Sequence, residues 1–143
     1  MHNSFIASLQ HNTFVHKYSG NVTKQIIMDS LSEQFKNRDF NNIIKIISDF
    51  RQTKISFNED DLNEITQFIK INSTNDNQIY NVIITDDPMI TAYTIIFQDL
   101  MRDKKNYKCF VCSTTQKACE YLNLSEESIN LLVELIKSKT TSI

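Results

Sequence analysis

The sequence predicts an α/β fold: an N-terminal β-hairpin joined to a mostly parallel central sheet covered by helices, plus a C-terminal extra helix. Short β-branched apolar runs alternate along the chain with stretches whose apolar residues recur at helical spacing. Helix-capping residues stand at the start of each helical stretch. The chain has 143 residues, which fits one compact domain and leaves no room for two.

The hairpin is expected from Ser4 to Gln10 and Thr13 to Ser19, with His11-Asn12 as its turn. Phe14, His16 and Tyr18 alternate with Val15 and Lys17, the two-residue period of a half-buried strand. Gly20 breaks that strand, and Thr23 caps a helix carrying Ile27, Met28, Leu31 and Phe35 on one stripe. Val22 and Ile27 form its hydrophobic staple, and the polar segment Lys36-Asn-Arg-Asp39 ends it. Ile43 to Ile47 is a buried strand, too stiff and too short for helix.

Ser48 to Ser56 reads as a loop into a second helix capped by Asn58, with Leu62, Ile65 and Ile69 inward and Phe57–Leu62 as staple. Glu59, Asp60 and Asp61 sit at the positive end of that helix. After the polar turn Asn72 to Gln78, the run Ile79 to Thr85 is a second buried strand. Asp87 caps the next helix and Pro88 takes its first position. Ala92, Tyr93, Ile96, Phe97, Leu100 and Met101 span so wide an arc that this helix is expected to be the most buried. Tyr107 to Cys112 is the last strand. Ser113 with Gln116 reads as the capping box of a short helix bearing Ala118, Tyr121 and Leu122. The final helix starts at Ser125, with Leu124–Ile129 as staple, a stripe of Ile129, Leu132, Val133 and Ile136, and Lys137 and Lys139 at its negative end.

Composition removes several function classes. Lys+Arg number 15 against 17 Asp+Glu, a net charge of −2, so no basic footprint for nucleic acid exists. A single Gly in the chain excludes glycine-rich phosphate loops. No apolar window reaches the ~18 residues of a membrane span, and the first residues lack the positive stretch and apolar run of a secretory signal, so none is expected. Cys109, Cys112 and Cys119 are odd in number and close together, which reads as reduced thiols in the cytoplasm.

The segments Val15-His-Lys-Tyr-Ser-Gly20-Asn-Val-Thr23, Ile47-Ser-Asp-Phe-Arg51, Asn81-Val-Ile-Ile-Thr-Asp-Asp87 and Cys109-Phe-Val-Cys-Ser-Thr114, with Ala118 and Leu122, resemble those of small bacterial SpoIIAA-like proteins. These have the STAS fold of anti-sigma-factor antagonists. The resemblance runs from about residue 4 to residue 122. It implies one STAS-like domain over 1–143, with residues 123–143 as a helical extension. It also implies a bacterial regulatory role through contacts with another protein. The antagonists carry a phosphorylatable Ser in Asp-Ser-x-Gly at the start of the second helix. Here that region reads Ile55-Ser-Phe-Asn-Glu-Asp-Asp-Leu62. The motif is absent, and three acids stand where a phosphate would be added.

Among polar constellations, Asp49-Phe-Arg51 stands out, because open α/β sheets bind ligands at the carboxyl ends of their strands. Two readings are open: a partner-binding edge with Arg51 as anchor, or an Asp that caps a loop and pairs with its own Arg. The candidate interaction surface comprises Asp49, Arg51, Ser56, Asn58, Glu59 and Asp86. Asp86-Asp87-Pro88 resembles the acidic pair of a response-regulator receiver, but Leu131 stands where that family needs its later acid, so Asp87 reads as a helix cap. Cys109-Phe-Val-Cys112 has redox or zinc spacing, yet residues three apart in a strand face opposite sides, so both read as buried small side chains. His2, His11 and His16 have no nucleophile or carboxylate at a recognisable spacing, and Lys104, Lys105 and Lys108 read as a solvated turn.

The expected function is therefore a non-enzymatic protein-interaction module, whose partner is an unidentified protein or a second copy of itself. No metal, cofactor, nucleic acid or membrane is expected. The alternative is a carrier of a small lipophilic ligand in an apolar cavity between sheet and helices.

Overall fold

The computed structural model describes residues 4–10, 13–36, 43–73 and 78–141. The expected turn His11-Asn12, the end of the first helix beyond Lys36, and His2 lie outside them. The described chain runs β1 (Ser4–Gln10), β2 (Thr13–Tyr18), β3 (Gly20–Val22), α1 (Lys24–Lys36), β4 (Ile43–Asp49), β5 (Thr53–Ile55), α2 (Glu59–Asn72), β6 (Gln78–Ile84), α3 (Pro88–Leu100), β7 (Tyr107–Cys112), α4 (Thr115–Tyr121) and α5 (Glu126–Thr141).

Five strands form the central sheet in the order β1-β2-β4-β6-β7. β1 pairs antiparallel with β2, and the remaining pairs are parallel. The parallel strands succeed one another across the sheet without reversal. Right-handed crossovers in such a sheet all fall on the same face, so α1, α2 and α3 share one side. Phe14, Tyr18, Ile44, Ile46, Ile79, Ile83 and Tyr107 point into that layer, against Ile27, Leu62, Ile65, Ile69, Ile90 and Phe97 of the helices. On the other face Val15, Ile47, Val82 and Ile84 pack against Ala118, Cys119 and Leu122 of the α4 segment and Leu132 of α5. The result is three layers.

Sequence expectation and structure diverge at several points. β2 is buried at every position, not half-buried, because helices cover both faces of the sheet beneath it. The expected loop Ser48–Ser56 holds the end of β4 and a further strand, β5. β5 pairs in parallel with β3 as a separate two-stranded sheet. Gly20 does break β2: its φ of 66° is the left-handed region that costs glycine little, and the chain turns there into β3.

The third helix is not the most buried. Met89 and Ile95 remain 63% and 57% exposed, because α3 packs only one stripe on the sheet, through Ile90, Thr94 and Phe97. The short helix α4 is capped by Thr114, whose hydroxyl accepts from the Lys117 amide, one residue later than the expected box of Ser113 and Gln116. The run expected as strand from Ile79 to Thr85 lies one residue earlier.

Other local signals act as expected. Thr23 Oγ1 accepts from the Ile26 amide at 3.2 Å. Asn58 and Asp61 form a reciprocal capping box at the start of α2. Asp87 Oδ1 accepts from the Met89 amide at 2.7 Å above Pro88. No helix among the described residues is long and apolar enough to cross a membrane.

Candidate functional site

Two places in this fold gather polar side chains. The first is the carboxyl end of the sheet on the α4–α5 side. Lys17 and Asp49 are register partners on β2 and β4, so their side chains emerge next to each other. Asp49 is fully buried. Its carboxylate accepts from the Arg51 amide at 3.0 Å, from Arg51 Nε at 3.0 Å and from Nη2 at 2.8 Å. Lys17 Nζ stands 3.7 Å from Asp49 Oδ2 and donates to the Arg51 carbonyl at 3.1 Å.

The Arg51 Nη2 also donates to Thr115 Oγ1 at 2.9 Å, tying the turn to α4. Burial pulls the Lys17 ammonium below its ordinary range and Asp49 pulls it back up; the hydrogen bonds it donates to Asp49 hold the Arg51 guanidinium above its own. Of the two readings of Asp49-Phe-Arg51, the structure contains the internal pair. Asp86, exposed between β6 and α3, adds its field to both cations. Ser56, Asn58 and Glu59 are exposed where β5 leads into α2, and Asn58 is occupied as the helix cap.

The second place is a cavity of about 90 Å³ between the sheet and α1, α2 and α3. Isoleucine is the commonest residue of its wall, with Ile46, Ile79 and Ile83 from the sheet, Ile65 and Ile69 from α2, Ile27 from α1 and Ile90 from α3. Phe57 and Tyr93, half-buried with rings 5.9 Å apart, belong to the segments that start α2 and α3 beside the carboxyl ends of the strands. The Tyr93 hydroxyl donates to the Phe57 carbonyl at 3.3 Å and fastens the two segments together. Among the described lining residues there is no Asp, Glu, Lys or Arg.

A few neutral polar groups interrupt this wall, and β-pleating explains their placement. His16 and Ser48 are register partners on β2 and β4, and both point to the α1–α3 side. Ser48 Oγ donates to Asn81 Oδ1 at 2.9 Å, and Asn81 Nδ2 donates to the Tyr107 hydroxyl oxygen at 2.9 Å. The network thus crosses from β4 to β7. Tyr18 and Ser30 are hydroxyl partners, and because Ser30 gives its own hydrogen to the Ile27 carbonyl, the Tyr18 hydroxyl is the donor. Burial drives both Tyr18 and Tyr107 upward in pKa, so both remain neutral phenols.

His16 differs from these. Its ring is 0% exposed, and its Nε2 lies 2.6 Å from Gln34 Oε1. Its Nδ1 has no hydrogen-bond partner among the described residues. Burial pushes the ring down to about 4, partly offset by the bond to Gln34, so it is neutral at physiological pH.

In the sequence His16 stands only as one of three histidines clustered around the hairpin, and nothing there marks Gln34, Ser48, Asn81 or Tyr107 as site residues by spacing. The available signal is Ser48 and Asn81: polar residues inside apolar strand runs need partners, since unpaired burial costs about 1–3 kcal/mol. Cys109 and Cys112 face opposite sides of β7, the former packed against the cavity-side core and the latter against the other; both are half-buried and not buried as expected, because β7 is the edge strand of the sheet. Burial pushes the Cys109 thiol up to about 12. Among the described residues no group of three or more His, Cys, Asp and Glu is placed to hold a metal ion.

No family model and no curated protein matches the chain.

Proposed function

We propose that this protein binds a small, largely apolar molecule in the cavity between its sheet and α1–α3. The single observation that carries the reading is a space of about 90 Å³ between sheet and helices, walled chiefly by aliphatic and aromatic side chains. Ligand sites are typically apolar concavities in which a few placed polar groups fix orientation. An apolar cavity of roughly 150 Å³ takes up benzene, and the space here is smaller, so the occupant is no larger than a single ring.

The protein-contact reading is less well supported, because its intended anchor is already engaged. The Arg51 fork is bound to Asp49 and Thr115, which leaves it little to offer a partner. Descent from STAS-like domains belongs to the same proposal. It is supported by the antiparallel N-terminal pair and by the strand–helix alternation after it. A cytoplasmic setting is supported by three free cysteines.

Thermal unfolding in the presence of benzene tests the reading. A ligand that binds only the folded state raises the midpoint in a concentration-dependent way. Benzene should raise it for the native chain and leave it unmoved in Thr94→Leu, which fills the cavity from α3. An unmoved midpoint in the native chain would overturn the proposal.

A further inference from the structure

We infer that two copies of this chain join edge to edge through β7, their strands antiparallel about a two-fold axis at Phe110. The contact involves neither the cavity nor Arg51 and does not depend on ligand binding. β7 ends the central sheet, with β6 on one side and no strand on the other among the described residues. The Ile79 amide donates to the Asn106 carbonyl and the Thr85 amide to the Cys112 carbonyl. Even-numbered residues of β7 therefore turn their main chain to β6, and odd-numbered ones turn it outward.

Those outward groups are only partly used. The Tyr107 amide donates to the Lys104 carbonyl, and the Cys109 carbonyl accepts from Gln98 Nε2 at 2.8 Å. The amides of Cys109 and Val111 and the Val111 carbonyl have no partner among the described residues. Both residues are half-buried. Burial pushes the Cys109 thiol up to about 12, so what this residue shows to solvent is its main chain.

An exposed apolar side chain flanks the open strand on each face. Ile95 is 57% exposed and stands one turn before Gln98 on α3, on the side of the helix from which Gln98 reaches β7. On the other face Tyr121, 45% exposed, stacks on Phe110 with ring centroids 5.0 Å apart. An unpaired edge between such groups is a template for a further strand.

Charge and symmetry identify that strand as β7 of a second copy. α3 carries no charged residue from Pro88 to Gln98, and β7 carries none from Cys109 to Cys112, so nothing there selects an ionic segment. β7 is itself an uncharged strand of the kind the edge suits. In the register about Phe110, Cys109 exchanges both main-chain bonds with the second copy's Val111, and Val111 does the same with the second copy's Cys109. The Cys109 carbonyl can keep Gln98 on its other lone pair. Phe110 meets its counterpart at the close, non-hydrogen-bonded position, and Lys108 falls opposite Cys112 instead of a second ammonium. β7 on β1 of another copy would leave free edges and grow without end, whereas β7 on β7 closes as a dimer.

Sedimentation equilibrium over a dilution series, with amide hydrogen exchange, makes the test. The native chain should reach twice its 16.7 kDa mass, and the Cys109 and Val111 amides should exchange about tenfold more slowly in that species than after dilution. Val111→Pro deletes an amide that makes no bond within the chain, at an edge position where proline is tolerated, so it should fold and remain monomeric. Ile95→Lys, on the exposed face of α3, should weaken association without unfolding the chain.

A native chain that stays monomeric would overturn the inference, whatever else covers the edge. A dimer that persists in folded Val111→Pro would do the same. If that variant fails to fold, an undiminished dimer in Ile95→Lys, or equal exchange of the two amides before and after dilution, decides against it.

Discussion

The two faces of the central sheet are built from alternate residues of the same strands, yet they solve different problems. On the α4–α5 side Val15, Ile47, Val82, Ile84, Ala118, Cys119 and Leu132 pack with essentially no exposure, and the polar residues Lys17 and Asp49 are kept to the carboxyl-end rim, beside Arg51. On the α1–α3 side polar groups stand in the middle of the layer, and a cavity remains among the isoleucines.

Topology accounts for part of this. A parallel sheet whose strands proceed in one direction receives three crossover helices on one face and none on the other. Among the described residues the second face is closed by the chain beyond β7, and so α5, with Leu132 wholly buried, is part of the core. A tight face and a perforated face on one sheet divide the work of packing: the first fixes the strands, and the second leaves the space in which the proposed ligand would sit.

The largest expected effect tests the rim of the tight face. Asp49→Asn removes the anion that Lys17 and Arg51 share and leaves two cations against a neutral amide. Breaking a buried ion pair by deleting one partner costs about 3–5 kcal/mol, so urea unfolding should show a loss of that order. A loss under ~1 kcal/mol would show that the cluster is no more than a surface pair.

The perforated face has its own signature in pH. The folded value of His16, about 4, lies below the ordinary 6.5, so as pH falls the unfolded chain takes up the proton first. The contribution of this group is complete above pH 6.5 and is lost progressively between 6.5 and about 4. The span amounts to roughly 3 kcal/mol. Carboxylates titrate near the lower end of that window. The measurement is therefore the difference between native and His16→Phe unfolding free energies from pH 7 to pH 4.5, and a difference that does not change with pH would refute the assignment.

This contrast also explains what is legible in the sequence. The elements are readable because their signals are local: Asp87 before Pro88, Asn58 before an acidic first turn, Ile43–Ile47 as a β-branched run. The Asp49–Arg51 pair is readable for the same reason, its members being two residues apart. β3 and β5 are not, since three-residue strands carry no period, and Gly20–Val22 finds Thr53–Ile55 only once α1 and β4 are folded between them.

The cavity is least legible of all. His16 meets Gln34 eighteen positions away and Ser48 meets Asn81 thirty-three away, and alternation gives the same pattern whichever face later proves tight. Ser113 and Thr114 show the finest limit, because two good capping residues stand side by side and the backbone uses the second.

The smallest effect is also the sharpest comparison, and it needs two substitutions that enlarge one side chain on each face. Val82→Leu pushes a longer side chain into the layer formed with Ala118, Cys119 and Leu132, where Val82 is 0% exposed. Overpacking of this kind costs about 1–3 kcal/mol. Thr94→Leu enlarges a buried residue on the cavity wall. It forfeits only the hydroxyl bond to the Ile90 carbonyl, which a helical carbonyl does not need, and it replaces a weak helix former by a strong one. Its unfolding free energy should lie within about 0.5 kcal/mol of the native chain or above it, since the added atoms enter free space and gain dispersion contacts there. Equal losses from the two variants, measured in the same urea titration, would mean that the α1–α3 layer is as tightly filled as its counterpart.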